Sequence, residues 1–252
     1  MASREAIIIQ VRNPAGDGEP LPVLRVFDDD QMLRLKRAFF EDTLRQVAEI
    51  DGVDIKISIA PPSRVIWAKE AIEHLSERFT RRRRFRELAK RTQISPQPVI
   101  PLEERTAKSL TEYLDDGYER VVLVGGYHPT LDPERLHDAL RHLRNHPLIL
   151  GPTIEGGCYL IGLRSDCRKA IGLVSLGSDI SYSHSTAALS HAGLAWQEID
   201  LSYDVGHQED LEFIVREINH CRYVGDEDTA LCTENVLAEF IDGRPIGDSL
   251  RD

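Results

Sequence analysis

Residues 121–162 constrain the fold of this chain more than any other segment. They begin V-V-L-V-G-G-Y-H-P-T-L-D-P, continue through a helical spacer, and end L-I-L-G-P-T-I-E-G-G-C-Y-L-I-G. Short apolar runs bounded by glycines are typical of buried strands, and the pair Asp132-Pro133 is typical of a helix start. The segment therefore predicts a strand, a Gly-Gly turn, a helix, and two more strands joined by a second Gly-Gly loop.

The same alternation of strand-like and helix-like segments extends along most of the 252 residues. Apolar or alternating runs predict strands at residues 6–11, 54–59, 121–124, 148–150, 158–163 and 196–201. Apolar residues at helical spacing predict helices at residues 31–50, 65–91 (as one or two helices), 102–114, 133–143, 185–192, 208–220 and 233–241. Residues 95–101 contain three prolines, so we interpret them as a linker or an extended turn.

Strands that alternate with helices predict one fold class. We expect a three-layer α/β/α protein with a mostly parallel central sheet, covered by helices on both faces. The periodic segments fill most of the chain, so residues 1–222 are predicted to form a single α/β domain. Residues 223–252 are predicted to form a C-terminal helical extension and a tail.

Composition excludes several classes of protein. The formal net charge of -11 and the pI near 5.3 argue against a general nucleic-acid binder. No apolar run approaches the roughly 20 residues of a membrane helix, and residues 1–9 lack the core of a signal peptide. The four cysteines form no C-x-x-C pair. We therefore expect a cytoplasmic protein with reduced thiols and no membrane span.

Four ordered motifs resemble a known family. They are V-L-V-G-G-Y-H-P-T-L-D-P, G-P-T-I-E-G-G-C-Y-L-I-G-L, Y-S-H-S-T and Y-D-V-G-H-Q-E-D-L. Their order and spacing resemble the bacterial glycosyltransferases of the GT-A, nucleotide-diphospho-sugar transferase fold, known as radical-SAM/selenodomain-associated transferases. The resemblance covers residues 97–218 well and the N-terminal half more loosely. It implies a GT-A-like fold, a nucleotide-sugar donor, and a Mg²⁺ or Mn²⁺ ion held by carboxylates.

The chain departs from the family at the ion site. The family's first metal-binding acid falls on Tyr127, and the Asp of its D-G-G motif falls on Glu155. The second Asp of its D-V-D motif falls on Gly206, whereas Asp204 matches the first. A phenol is neutral near pH 7, so Tyr127 is a poor substitute for a carboxylate ligand of magnesium. These replacements weaken the expectation of a bound divalent cation.

The candidate site residues follow from the motifs and from their places after strands. Asp204 is the candidate metal ligand and a candidate catalytic residue, and His207 is a candidate nitrogen ligand. Glu155 is the second candidate catalytic residue, because it can accept hydrogen bonds from sugar hydroxyls or act as a base. The candidate nucleotide- and sugar-binding residues are Arg12, Asn13, Gly16, Gly125, Tyr127, Gly156 and Gly157.

Three other features have both structural and functional interpretations. His128 can bind a softer metal or be an ordinary loop residue. Ser183–Thr186 can cap a helix or receive a phosphate at its N-terminus. Arg81–Arg84 can attract an acidic ligand or form a solvated helix face. In each case we favour the structural interpretation.

The sequence leaves three functions open. The first is a transferase that moves a sugar from a nucleotide donor. The second is a nucleotidyltransferase, since pyrophosphorylases share the layout. The third is a non-catalytic descendant that binds a ligand or another protein, which the altered acids favour. A homodimer is a further expectation.

Overall fold

The computed structural model describes residues 4–12, 27–177, 180–203, 205 and 208–240. Within these residues the chain forms seven strands and nine α-helices. The strands are β1 (Glu5–Val11), β2 (Asp54–Ile59), β3 (Thr92–Pro96), β4 (Arg120–Gly125), β5 (Leu148–Pro152), β6 (Cys158–Arg164) and β7 (Gln197–Glu198). The helices are α1 (Asp29–Ala48), α2 (Val65–Arg78), α3 (Arg83–Arg86), α4 (Leu88–Arg91), α5 (Leu102–Asp115), α6 (Pro133–His142), α7 (Ser181–His191), α8 (Gln208–Tyr223) and α9 (Leu231–Phe240).

All the strands belong to one sheet with the order β3-β2-β1-β4-β6-β5-β7. Strands β3, β2, β1 and β4 are parallel to one another, and β5 is parallel to β7. Strand β6 is antiparallel to both of its neighbours. The sheet is therefore mostly parallel, and the predicted fold class is confirmed.

The sheet is buried on both faces. Alternate residues of β1 face different cores, because side chains of a strand alternate across the sheet. Ile7 and Ile9 pack with helices α1, α2 and α6, whereas Ala6 and Ile8 pack with helices α5 and α7. Because both faces are buried, the sequence of β1 is a continuous apolar run and does not alternate between apolar and polar residues.

Several predicted segments differ in the structure. Residues 65–91 form the three helices α2, α3 and α4 rather than one or two. The proline-containing segment after Thr92 is not only a linker, because its first residues form the edge strand β3. Among the described residues β3 pairs only with β2, so Pro96 at its end removes a donor that no second described strand requires. The strand predicted at residues 196–201 is reduced to the two residues of β7.

Helix α9 is fixed to α1 by a buried acid. The Asp42 carboxylate, which is fully buried, accepts hydrogen bonds from the backbone N–H groups of Cys232 at 2.9 Å and Thr233 at 2.7 Å. It also accepts a hydrogen bond from Arg45 at 3.1 Å. Asp42 thus satisfies amides at the start of α9 that have no partner within the helix. The division of the chain at residue 222 stays a prediction.

The arginine run is mostly used in ion pairs. Arg82 pairs with Asp228 and Glu49, Arg84 pairs with Glu49, and Arg83 pairs with Glu87. These contacts join the end of α1 to α3 and to the loop before α9, so the run is a structural feature at the amino ends of the parallel strands. Among the helices that the structure describes, none is long and apolar enough to cross a membrane.

Candidate functional site

The sheet contains a topological switch point between β1 and β4. From β1 the chain adds β2 and then β3 on one side, and β4 then pairs with the other side of β1. In open α/β sheets, ligands bind in the crevice outside the carboxyl ends of the strands at such a point. Here that crevice is bordered by Arg12, which follows β1, and by Gly126 and Tyr127, which follow β4.

Gly126 lets the two strand ends approach closely. Its N–H donates to the carbonyl oxygen of Gln10 at 3.0 Å. A Cβ at this position would lie 3.0 Å from Val11 Cγ2 and 3.2 Å from the Gln10 carbonyl oxygen. A larger residue at this position would press against the end of β1, so packing favours glycine. Gly125, one residue earlier, has no atom within 4 Å of the corresponding Cβ position.

Tyr127 links the ends of β1 and β4. Its hydroxyl donates to the backbone carbonyl oxygen of Arg12 at 2.8 Å, and its ring packs against two of the hydrophobic cores. This is the position where the resembled family places its first metal-binding acid. A neutral phenol that donates to a carbonyl does not supply the carboxylate oxygen that Mg²⁺ requires. The residue present here does not fit the expected ion.

His128 has a packing role. Its side chain is buried and lies between the rings of Tyr159 and Tyr203, with centroid distances of 5.2 and 5.8 Å. Its Nε2 lies 3.2 Å from Ser202 Oγ, and its backbone N–H donates to Thr43 Oγ1 at 2.9 Å. The stack holds the turn after β4 against the segment after β7, which is the structural interpretation of this residue.

The turn that carries Glu155 lies at the same edge of the sheet, because β5 runs in the same direction as β4. Gly156 has φ +89°, a conformation that favours glycine. Its N–H donates to the Thr153 carbonyl oxygen at 3.0 Å, and the N–H of Gly157 donates to Thr153 Oγ1 at 2.9 Å. Glu155, next to Gly156, is half-buried at the tip of this tight hairpin.

The three turns at this edge are joined by hydrogen bonds. The N–H of Ile154 donates to the Ser202 carbonyl oxygen at 2.8 Å, and the N–H of Ser202 donates to the Pro152 carbonyl oxygen at 3.0 Å. Ser202 Oγ meets His128, which follows Tyr127. The turns after β4, β5 and β7 therefore form one connected rim around the switch point.

Arg12 extends from β1 toward this rim. Its Nη2 lies 3.4 Å from where a Cβ of Gly177 would be, and Gly177 has φ +80°. Gly177 exchanges backbone hydrogen bonds with Cys158, the residue after Gly157. The guanidinium is therefore placed beside the strand that follows the Glu155 turn, where it can meet an anionic ligand.

Lys36 is a functional candidate that the sequence interpretation missed. It lies in α1 and is only 6% exposed. The pKa of Lys36 is lowered to about 8, mainly by burial and also by the positive charge of Arg12, while Asp29 acts in the opposite direction. In the sequence, Lys36 lies four residues before Phe40, and residues at this spacing lie on the same face of a helix. Both belong to the buried face of α1.

Cys158 is adjacent to the site but is not activated. Burial is the main reason that its thiol pKa is raised to about 12, although Ser181 opposes the shift. The thiolate is the nucleophilic form of cysteine. A covalent role for Cys158 is therefore disfavoured at neutral pH.

Helix α7 begins earlier than predicted, which changes the role of its hydroxyl residues. The helix starts at Ser181, so Ser183 and Thr186 lie within it rather than before it. Their hydroxyls donate to the carbonyl oxygens of Ile180 and Tyr182, both at 3.0 Å. The interpretation of these residues as N-terminal caps is therefore wrong.

Four predicted site residues lie outside the described residues: Asn13, Gly16, Asp204 and His207. Their roles stay predictions. In the part of the chain that the structure describes, no group of three or more His, Cys, Asp or Glu side chains is arranged to hold a metal ion.

The strand order and the switch-point rim define a GT-A-like protein of the nucleotide-diphospho-sugar transferase fold. Residues 43–183 match the family described as "Uncharacterized protein conserved in bacteria (DUF2064)", and the chain belongs to that family. The sequence-based resemblance to GT-A-fold transferases is confirmed. No curated protein matches the chain.

Solved structures extend the comparison. A "putative nucleotide-diphospho-sugar transferase" from Desulfovibrio desulfuricans G20 has a TM-score of 0.71 and 25% identity, covering 94% of this chain and 98% of that one. CMP:2-keto-3-deoxy-manno-octonic acid synthetase complexed with CTP has a TM-score of 0.54 and 11% identity, covering 86% and 99%. The 4-diphosphocytidyl-2C-methyl-D-erythritol synthase of Anaerococcus prevotii DSM 20548 has a TM-score of 0.55 and 13% identity, covering 86% and 96%. The last two likenesses establish the fold alone.

Proposed function

We propose that this protein binds a nucleoside-diphosphate sugar at the β1–β4 switch point and transfers the sugar to an acceptor hydroxyl. The observation that carries the proposal is the joining of Arg12 and Tyr127, which follow the two switch-point strands, at the rim that also contains Glu155. The similarity to the Desulfovibrio protein over nearly the whole chain supports the same class of substrate.

The proposed roles follow from charge and position. Arg12 contacts the diphosphate, because a guanidinium forms charge-assisted hydrogen bonds to phosphate oxygens. Gly156 and Gly157 let the sugar approach the backbone of the turn. Glu155 contacts the sugar or accepts the proton of the attacking acceptor hydroxyl. Asp204 is proposed near the donor because of the family resemblance, and His207, three residues later, is proposed as an additional nitrogen ligand.

The transfer step exchanges one bond for another. The acceptor oxygen forms a bond to the anomeric carbon and loses its proton to the base. The bond between the anomeric carbon and the β-phosphate oxygen breaks, and its electron pair stays on the departing nucleoside diphosphate. The cationic side chains at the crevice stabilise the charge that develops on this leaving group.

Nucleotidyl transfer is the second candidate function. The Arg12 guanidinium suits the triphosphate of a nucleotide as well as a diphosphate. The reaction would join the α-phosphate of a nucleoside triphosphate to a sugar and release pyrophosphate. A binding protein without catalysis is the third candidate, favoured by Tyr127 in place of an acid.

Calorimetric titration tests nucleotide binding first. UDP, GDP, CDP and CTP are titrated into the full chain, with Mg²⁺, with Mn²⁺ and with excess EDTA. We expect at least one nucleotide to bind, and Arg12→Gln to weaken it by about tenfold, the effect expected for one charged contact. Arg86→Gln is the matched control, because Arg86 is exposed on α3 at the opposite end of the sheet.

Product analysis then separates the candidates. Release of a nucleoside diphosphate from a nucleotide sugar supports sugar transfer, and release of pyrophosphate from CTP supports nucleotidyl transfer. Binding with neither product supports the binding protein. No nucleotide binding in any condition contradicts the first two functions.

A further inference from the structure

We propose that the acceptor of the sugar is an amphiphilic alcohol, a hydroxyl-bearing lipid, whose apolar chain lies against Ile154, Leu201 and Phe213. This inference rests on the proposed function and names the class of its acceptor. The observation that carries it is the gathering of exposed apolar side chains at the edge of the sheet that also holds the Glu155 turn. It concerns the acceptor alone, so it does not depend on how the nucleotide is held.

The exposed apolar side chains are distributed unevenly over the protein. In the described part of the chain eight large apolar side chains are exposed, and Tyr223 and Val224 lie at the end of α8. The other six follow the carboxyl ends of strands or contact a residue that does. Single exposed apolar residues are ordinary, whereas a cluster marks an interaction site. The six are Ile66, Val99, Ile154, Ile180, Leu201 and Phe213.

Three of the six form a strip at the candidate catalytic turn. Ile154 lies in that turn, and its N–H donates to the Ser202 carbonyl oxygen at 2.8 Å, so Leu201 lies on the neighbouring backbone segment. Tyr203 follows Ser202, and its ring contacts Phe213 with 4.8 Å between the centroids. The exposed fractions are 61% for Ile154, 54% for Leu201 and 46% for Phe213. The strip therefore offers apolar surface to a ligand at the turn.

Hydrogen bonds hold the backbone beneath the strip. The Leu201 carbonyl oxygen accepts a hydrogen bond from Arg135 at 2.8 Å, and the Asp200 carbonyl oxygen accepts one from the Tyr159 hydroxyl at 3.0 Å. The backbone is thus fixed while the Leu201 side chain stays in water. A ligand that covers the strip removes apolar surface from water without having to order this backbone first, and both effects favour binding.

The position of the strip selects the acceptor as its occupant. In the proposed transfer the acceptor hydroxyl gives its proton to Glu155, so the part of the acceptor next to that hydroxyl lies against Ile154, the preceding residue. A second copy of the chain, or another protein bound to the strip, would cover the turn and block the acceptor. A free sugar would leave the strip in water. An alcohol with an alkyl chain satisfies both the turn and the strip.

Alkyl glucosides provide soluble probes of this site. Glucose and hexyl, heptyl and octyl β-glucoside are titrated by calorimetry below their critical micelle concentrations. Each titration is done without nucleotide and with whichever of UDP, GDP, CDP and CTP binds, at saturation. We expect glucose to bind weakest and the affinity of the alkyl glucosides to rise by up to about fourfold for each added methylene, the gain expected for a buried methylene.

A double variant tests the strip itself. Ile154→Asn combined with Leu201→Asn changes two exposed side chains, so we expect circular dichroism to show an unchanged fold. Octyl glucoside should bind this variant about tenfold more weakly, and most of the dependence on chain length should disappear. Val224→Asn is the matched control, because Val224 is 61% exposed, as Ile154 is, but lies at the end of α8. The control should bind like the native protein.

The possible results separate the inference from the proposed function. Affinity that does not rise with chain length, or that rises equally in the double variant, contradicts the inference and leaves the proposed function intact. A dimer in analytical ultracentrifugation that the double variant abolishes also contradicts it, because a second copy then covers the strip. Absence of all nucleotide binding contradicts the proposed function and the acceptor role with it, while the chain-length series still reports whether the strip binds an alkyl chain.

Discussion

The Tyr127 hydroxyl donates a hydrogen bond to the backbone carbonyl oxygen of Arg12, with 2.8 Å between the two oxygen atoms. This bond joins the carboxyl ends of β4 and β1, the two strands that border the switch point. Tyr127, which stands where the resembled family has a metal-binding acid, is thus a structural link within the crevice. The same bond fixes the backbone from which the Arg12 side chain extends.

Replacing Tyr127 separates its two roles. Tyr127→Phe removes the hydrogen bond but keeps the ring, and we expect a stability loss of about 1 kcal/mol. Tyr127→Asp also places a negative charge near the phosphates, so nucleotide affinity in EDTA should fall by more than in Tyr127→Phe. Added Mn²⁺ should recover part of that loss only in Tyr127→Asp. Equal affinities for the two variants in calorimetry would contradict this.

The buried Lys36 predicts a pH dependence of stability. Its pKa is lowered from 10.5 to about 8 in the folded protein, so the unfolded chain binds more protons between these two pH values. Stability from this group therefore rises as pH increases through that window. Lys36→Met lacks the rise, so urea unfolding should show the variant losing stability relative to the native protein from pH 8 to pH 10. A constant difference would show that Lys36 titrates normally.

Gly177 and Gly172 form a matched pair for testing Arg12. Both have positive φ, +80° and +86°, so alanine strains the backbone by about 1 kcal/mol or more at either position. Only at Gly177 would the new Cβ crowd Leu102 and the Arg12 guanidinium. We expect Gly177→Ala to weaken nucleotide binding and Gly172→Ala to leave it unchanged. Equal nucleotide binding by both variants would show that Arg12 does not contact the nucleotide.

The hydrogen bonds between Asp42 and the start of α9 should contribute strongly to stability. Asp42→Asn replaces the carboxylate that accepts two amides of α9 and removes one of the two acidic partners of the buried Arg45, the other being Asp228. We expect a stability loss of about 2–4 kcal/mol, measured by urea unfolding. Asp138→Asn is the control, because Asp138 pairs with Arg141 at the surface and should change stability by less than about 1 kcal/mol. Similar losses in the two variants would contradict the assigned role.

The central strands could be predicted because their signal is local. Residues 6–11 and 121–124 are continuous apolar runs, and burial on both faces of a parallel sheet selects for such runs. Strand β3 was missed because Pro96 and the two prolines that follow the strand indicate a linker, and only its place at the edge of the sheet makes Pro96 acceptable. Edge position is a property of the assembled sheet and not of the segment.

The candidate site was predictable in part. The motifs indicated the turns of Tyr127 and Glu155, because glycine-bounded turns after strands have a sequence signature. The bond between Tyr127 and Arg12 spans 115 residues. It leaves no pattern in the sequence, since it depends on which strand ends the sheet brings together.

Hydrogen–deuterium exchange with and without a bound nucleotide tests the central claim most directly. The probe is whichever of UDP, GDP, CDP and CTP binds in calorimetry, measured at saturation. We predict slower exchange at the backbone amides of residues 125–130 and 153–157, the turns that border the β1–β4 crevice. Protection confined to the arginine run at residues 81–91, or no protection at these turns, would contradict the account.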